Sequence, residues 1–117
     1  MVSVEDVRTE LQNVIETELS RMSFLKRLGF GFFMPIAIKV VSNQGSMFLT
    51  ILGDGNVQLR TSVSVRIDIT IHASFETLID LIHSRDKAKF IQAKKEGKIK
   101  IIAHTQKGQI LKDFLGF

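Results

Sequence analysis

His72, His83 and His104 have the widest chemical repertoire of any side chains in this sequence. They stand 11 and 21 residues apart. No pair falls at i, i+4, the separation that aims two imidazoles from one helical face at a metal ion, so each reads as a surface or boundary residue. The chain has no cysteine, which removes thiolate chemistry, disulfides and every Cys-based zinc site. Gly29-Phe30-Gly31 and Gly53-Asp54-Gly55 each open like a dinucleotide fingerprint. Position 34 is Met and position 58 is Gln where the third glycine belongs, and a strand is expected after each instead of a helix. Both read as turns. There is no Gly-x-Ser-x-Gly elbow and no phosphate loop. The residues give no reason to expect catalysis, a metal or a cofactor.

The charges are more telling. Residues 85–100 hold seven of the sixteen Lys and Arg but only two of the twelve acids, Asp86 and Glu96. That is +5 in sixteen residues, against −1 for the rest of the chain. Lysines on the outer face of an amphipathic helix usually solvate it, and this is the favoured reading. The functional alternative is docking on a polyanion through Lys87, Lys89, Lys94 and Lys95. An anionic membrane surface comes ahead of nucleic acid. Base stacking is poorly provided for, with no Trp or Tyr and with Phe90 the one aromatic in the run, at a position its helix should bury. No nucleic-acid partner is expected.

The elements that position these groups follow from spacing. Ser3 with Asp6 predicts a capped helix whose apolar stripe runs Val4, Val7, Leu11, Val14, Ile15, Leu19, Met22, Leu25, ending near Arg27 with Gly29 as its C-cap. After Pro35 the period becomes 2. Ile36, Ile38 and Val40 mark a first strand, Ser42-Asn43-Gln44-Gly45 a turn, and Ser46–Leu52 a second strand. Asp54-Gly55 predicts a tight hairpin. From Val57 to Ile71 the odd positions are apolar apart from Thr61, and the even ones polar, which predicts one buried and one wet face. So long a run requires a break, placed near Thr61–Ser64. Ser74 caps a helix with Phe75, Leu78, Ile79 and Ile82 inward. A second helix starts around Asp86 with Ala88, Phe90, Ile91 and Ala93 inward and ends at Gly97. Lys98–Ile101 alternates as a strand, and Thr105 caps a closing helix with Ile110, Leu111, Phe114 and Leu115. Joined through helices, the strands either side of residues 73–97 are expected to be parallel. The class is α+β, in the order α-β-β-β-β-α-α-β-α, with a five-stranded mixed sheet covered on one face by helices.

Nine phenylalanines supply all the aromatic content. Phe24, Phe30, Phe32 and Phe33 crowd the joint between first helix and first strand. They read as a core plug, or, because Gly29 and Gly31 make the segment pliable, as the lip of an apolar cavity. Phe114 and Phe117 invite the same two readings.

At Asp68-Ile69-Thr70-Ile71, then Ser74-Phe75, the Leu78–Ile82 helix, Phe90 and Gly97-Lys98-Ile99-Lys100-Ile101, the sequence resembles the sterol carrier protein family of type two (SCP2-like). The match is closest from Asp68 to Ile101, and the order of elements fits nearly the whole chain. The resemblance implies a sheet under helices enclosing an apolar tunnel that binds and transfers lipid (fatty acyl, acyl-CoA, isoprenoid or sterol-like) without catalysis or cofactor. Phe75, Leu78, Ile79, Ile82, Phe90, Ile99 and Ile101 become ligand-binding wall candidates, with Ile110, Leu111 and Phe114 on a closing helix. The Gly-Asp that often follows the family's last strand is replaced here by Ala103-His104, and Leu115-Gly116-Phe117 is not a peroxisomal address. The rival readings are a polyanion-binding module using residues 85–100, and an accessory or oligomerisation domain presenting one sheet face to a partner protein.

At 117 residues the expectation is a single domain over 1–117. The longest apolar run, Phe32–Ile38, is far short of the ~18 residues of a membrane span. Glu5, Asp6 and Glu10 stand where a signal peptide has a basic start and an apolar core. The expected location is cytoplasmic.

Overall fold

A computed structural model describes residues 2–60 and 66–116. Its order is α1 (Val4–Ser20), α2 (Phe24–Phe32), β1 (Ile36–Ser42), β2 (Gly45–Ile51), β3 (Val57–Arg60), β4 (Ile69–Ala73), α3 (Phe75–Ser84), α4 (Lys87–Lys95), β5 (Ile99–Ala103) and α5 (Gln106–Phe114). The strands form one mixed sheet, β3-β2-β1-β4-β5, as the α+β reading expects. The expected break near Thr61–Ser64 lies outside the described residues, as does Phe117.

Local chemistry sets the helix starts. At α1 the Asp6 carboxylate accepts from the Ser3 N–H at 2.8 Å while the Ser3 hydroxyl accepts from the Asp6 N–H, the reciprocal box that satisfies orphan donors. The Ser3 N–H, then the Ser3 hydroxyl, hold the Asp6 carboxyl below its ordinary 3.8. A lowered carboxylate stabilises above its unfolded value, and this contribution is lost as pH falls through the folded one. Ser23, Ser74, Asp86 and Thr105 cap the other four helices.

The first expected helix is two. Arg21 closes α1, its N–H bonded to the carbonyls of Glu18 and Leu19, and Ser23 caps a new helix by accepting from the Lys26 N–H. Arg27 Nε folds back to the Leu19 carbonyl at 2.8 Å. Gly29-Phe30-Gly31 is therefore helical, neither a turn nor a C-cap. The glycines of the Gly53-Asp54-Gly55 turn do different work. Gly55 has φ +91°, and a Cβ there would stand 2.6 Å from Leu19 Cδ1, so only glycine lets α1 settle on the β2–β3 turn.

The strand pairing differs from expectation as well. β4 and β5 are antiparallel, with Ala73 opposite Ile99. The two connecting helices double back, so that the second returns the chain to the end it left. The parallel pair is β1 with β4, Ile38 beside Ile69. The alternation from Val57 to Ile71 also fails at both ends of its range. Leu59, on an edge strand, is 40% exposed, whereas Asp68 and Thr70, on the central side, are buried. In α4, Phe90 and Ala93 face in as expected, but Ala88 and Ile91 are exposed, and Leu81 joins the buried face of α3.

The core lies between the helices and one sheet face. Val7, Leu11 and Ile15 of α1, Leu78 of α3 and Leu111 of α5 belong to one cluster with Ile36, Ile38, Val40, Leu49, Ile51 and Ile69. Asp68 ties three elements at one end of it. Its Oδ2 accepts from the Ala37 N–H at 2.9 Å and its Oδ1 from the Thr105 hydroxyl at 2.7 Å. Its backbone N–H donates to the Ala37 carbonyl, and its own carbonyl accepts from the His104 N–H. α5 then crosses so closely that a Cβ on Gly108 would be 2.0 Å from the Asp68 carbonyl oxygen.

Two substitutions test this knot by urea denaturation. Asp68→Ala strands a buried N–H and the capping hydroxyl and should lower unfolding stability by about 2–4 kcal/mol. Gly108→Ala, which must push backbone apart, should cost at least ~3 kcal/mol. Losses under ~0.5 kcal/mol, the size of an ordinary surface substitution, would show that the contacts are incidental.

Candidate functional site

Of the residues that the sequence marks as ligand walls, Phe75, Leu78, Ile82, Phe90, Ile99 and Leu111 are buried in the shared cluster, and Ile79, Ile101 and Phe114 pack against it half-buried. Ile110 is half-buried on α5. In the interior they border, Ile15, Ile36, Ile38, Leu49, Ile51, Ile69, Leu78 and Leu111 are each under 2% exposed.

The rim has one joint built of aromatic rings. Phe30 of α2 meets Phe114 of α5 with centroids 5.4 Å apart and planes tilted by 46°, a favourable aromatic geometry. Phe30, Met34 and Phe114 all lie half-buried against the core. Opposite Phe30, α2 turns its apolar face outward. Phe24, Leu25, Leu28 and Phe32 fall within about 100° of the helical wheel, and Phe24, Leu25 and Phe32 are 75–85% exposed. No residue of α2 is fully buried. This inverts the usual arrangement, in which the apolar stripe faces the core. The sequence flags Phe24, Phe30, Phe32 and Phe33 as a cluster but counts Leu25 in the stripe of α1. The missed signal is Ser23, a cap in the middle of the expected helix.

The basic segment partly compensates itself. Lys89 Nζ lies 3.8 Å from Asp80, Lys98 pairs with Glu96 at 2.9 Å, and Lys94 stands over the Phe90 ring at 5.7 Å. Hydrogen bonding from Lys98 pulls the Glu96 carboxyl below its usual value, and the same contact raises Lys98. Lys87 and Lys95 are exposed. Between α3 and α4 lies a solvent-open groove of about 250 Å³ with a mixed lining that includes Thr77, Asp80, Leu81 and Lys89. A second, of about 360 Å³, runs along α1 past His83 and Arg85. There His83 Nδ1 meets Glu10 at 2.9 Å, and Arg85 pairs with Glu18. His104 Nε2 shares a 2.8 Å hydrogen bond with the Thr70 hydroxyl, and His72 is exposed. The three histidines remain apart, and no group of three metal-ligating side chains gathers among the described residues. Nor is any described helix long and apolar enough to cross a membrane.

No family model and no curated protein matches the chain; solved structures do. It is similar to a structure described as "UbiJ-SCP2 Ubiquinone synthesis protein" (17% identity over 99% of this chain and 91% of that one, TM-score 0.59). It is also similar to palmitated SCP2L2 from Aedes aegypti (16% identity, 99% and 96% covered, TM-score 0.53). A third likeness is to a double mutant of the sec-alkyl sulfatase PisA1, an enzyme from Pseudomonas sp. (22% identity, TM-score 0.61), where 98% of this chain matches only 16% of the larger protein. The fold thus occurs in sterol carrier domains, and also as part of a larger enzyme.

The Phe30–Phe114 contact should register in a double-mutant cycle. Phe30→Ala and Phe114→Ala together should destabilise less than the sum of their separate effects, with a coupling of about 0.5–1.5 kcal/mol. A coupling near zero would mean that α2 and α5 do not hold each other.

Proposed function

We propose that this chain, which has the sterol carrier protein type two fold, is a non-enzymatic carrier that binds an apolar lipid tail beneath its helices and exchanges it with a membrane. Residues 1–117 act as one cytoplasmic domain. The tail would lie against Phe75, Leu78, Ile79, Ile82, Phe90, Ile99 and Ile101, under a closing α5 that contributes Ile110, Leu111 and Phe114. The observation that carries the reading is the α2–α5 joint. It is an aromatic seam over a predominantly apolar interior, in a fold that one solved relative presents in palmitated form.

The energetics suit reversible exchange. Burying a sixteen-carbon tail recovers on the order of 10 kcal/mol at ~0.8 per methylene, and a bilayer offers nearly the same, so transfer is close to balanced. An empty tunnel of ~300 Å³ would cost ~7 kcal/mol at ~24 cal/mol per Å³, as much as a whole domain's stability. A ligand-free carrier therefore needs side chains that close its tunnel, with rings and the half-buried Met22 and Met34 as the groups that give way. Docking on an anionic membrane would use Lys87, Lys89, Lys94 and Lys95, with the outward apolar face of α2 entering the headgroup layer.

A fluorescent fatty acid should bind saturably at micromolar protein and be displaced by unlabelled lipid; failure of displacement removes the carrier reading. Phe75→Ala should weaken ligand affinity as well as stability, and a loss of stability alone would return it to the core. Phe32→Asp should leave ligand affinity intact while slowing delivery to phosphatidylserine vesicles severalfold, and unchanged delivery would dismiss α2 as the docking element.

A further inference from the structure

Helices cover one face of the sheet, and on the other the strands turn alternate side chains outward. Register sets these in rows. Arg60 of β3 stands opposite Phe48 of β2, and Phe48 opposite Lys39 of β1, with Thr70 and Ile102 completing the row across β4 and β5. One row further, His72 faces Lys100. Lys39 Nζ is 5.9 Å from the centre of the half-exposed Phe48 ring. In the opposite direction along the strands, Pro35, Ala37, Thr50, Arg66, Asp68 and Lys107 line a cleft of about 230 Å³.

The charges here are one-sided. None of the five strands contains an acid. The ion pairs of the described residues use Arg8, Arg21, His83, Arg85, Lys89 and Lys98, all outside the strands. Lys39, Arg60, Arg66, Lys100 and Lys107 have no carboxylate within 4.0 Å among the described residues. Asp68, the one acid lining the cleft, has both oxygens engaged by Ala37 and Thr105. Lys107 reaches only the Pro35 carbonyl, at 3.5 Å. It sits in the first turn of α5, where the helix's own partial positive charge disfavours a cation. Two cations against one engaged carboxylate leave the cleft with a net positive charge and an uncommitted Thr50 hydroxyl.

We propose that this cleft binds the phosphoryl group of a small organic phosphate. Arg66 supplies a planar fork of donors and Lys107 a point charge, while the remainder of the ligand lies along the sheet over Phe48, between Lys39 and Arg60. The rows of Ala37 and Lys39 are about 7 Å apart at ~3.4 Å per residue, the span of a phosphate with an attached ring or second phosphoryl group. A nucleoside diphosphate has that chemistry. The site lies on the sheet face opposite the core and does not rest on the carrier reading.

Calorimetric titration of the whole chain with ADP, inorganic pyrophosphate and inorganic phosphate tests this. ADP should bind saturably, more tightly than phosphate, and lose affinity as salt rises. Arg66→Gln with Lys107→Met should weaken it at least tenfold, whereas Lys94→Met with Lys95→Met should not change it. Because a variant can fold poorly, amide shifts of the unaltered protein give a second readout. ADP should move Ala37, Thr50 and Lys39, and shifts confined to residues 85–100 would overturn the assignment. So would absence of saturable ADP binding at millimolar concentration. So would tighter binding of an eight-nucleotide oligouridylate or of phosphatidylserine vesicles that survives the Arg66 and Lys107 substitutions, which would mark a polyanion surface instead. Fatty-acid displacement should be unaffected in the Arg66 and Lys107 variants, so the two readings fail separately.

Discussion

Everything at one end of this molecule depends on a single buried carboxylate. Asp68 bonds the start of β1 through the Ala37 N–H and the cap of α5 through the Thr105 hydroxyl, and its backbone bonds to Ala37 and to His104 just beyond β5. A buried charge is tolerable only when its lone pairs are filled. Once they are, the donors on three segments have one place to go, and the sheet order and the crossing of α5 are set together. The bare Cα of Gly108 lets the helix approach the Asp68 carbonyl. A larger residue there would hold the closing helix off the sheet.

That knot leaves the rest of the interior to dispersion and burial, which are indifferent to which apolar atoms they involve. The hydrophobic core cluster runs from Val7 to Leu115. In the proposed carrier a guest tail would replace side-chain contacts in such a medium at little net cost, whereas Asp68 cannot be displaced without stranding its donors. The start of α5 is thus tied to Asp68 by hydrogen bonds, and its far end is held by the buried Leu111 and Leu115 and by the Phe30–Phe114 ring contact.

Periodicity and caps made most of this legible. Ser3, Ser74, Asp86 and Thr105 mark helix starts, the alternation around Ile36–Val40 gives β1, and the buried residues from Phe75 to Ile99 fall where a 3.6 or 2 repeat puts them. What failed was whatever depended on partners distant in sequence. Asp68 and Thr70 read as wet because alternation knows only two faces. Their burial comes from Ala37, His104 and Thr105, more than 30 residues away. The antiparallel pairing of β4 with β5 required knowing that α3 and α4 double back. The outward face of α2 was hidden because Leu25 and Met22 continue the period of α1 across the break at Arg21–Ser23, so a local pattern pointed to the wrong helix.

The separation of acids from strands has a consequence beyond any one contact. Glu5, Asp6, Glu10, Glu16 and Glu18 lie on the first helix against Arg8 alone within it, while Lys39, Arg60 and Lys100 on the strands and the +5 segment 85–100 carry positive charge, so the molecule is an electric dipole with the first helix at its negative end. A +4 net charge would draw it toward any anionic object, but a dipole also exerts torque. Within a Debye length of ~8 Å at physiological salt, the field of such an object rotates the protein before touching it. Encounters are biased toward the basic surfaces, and collisions through the first helix are the rarest kind.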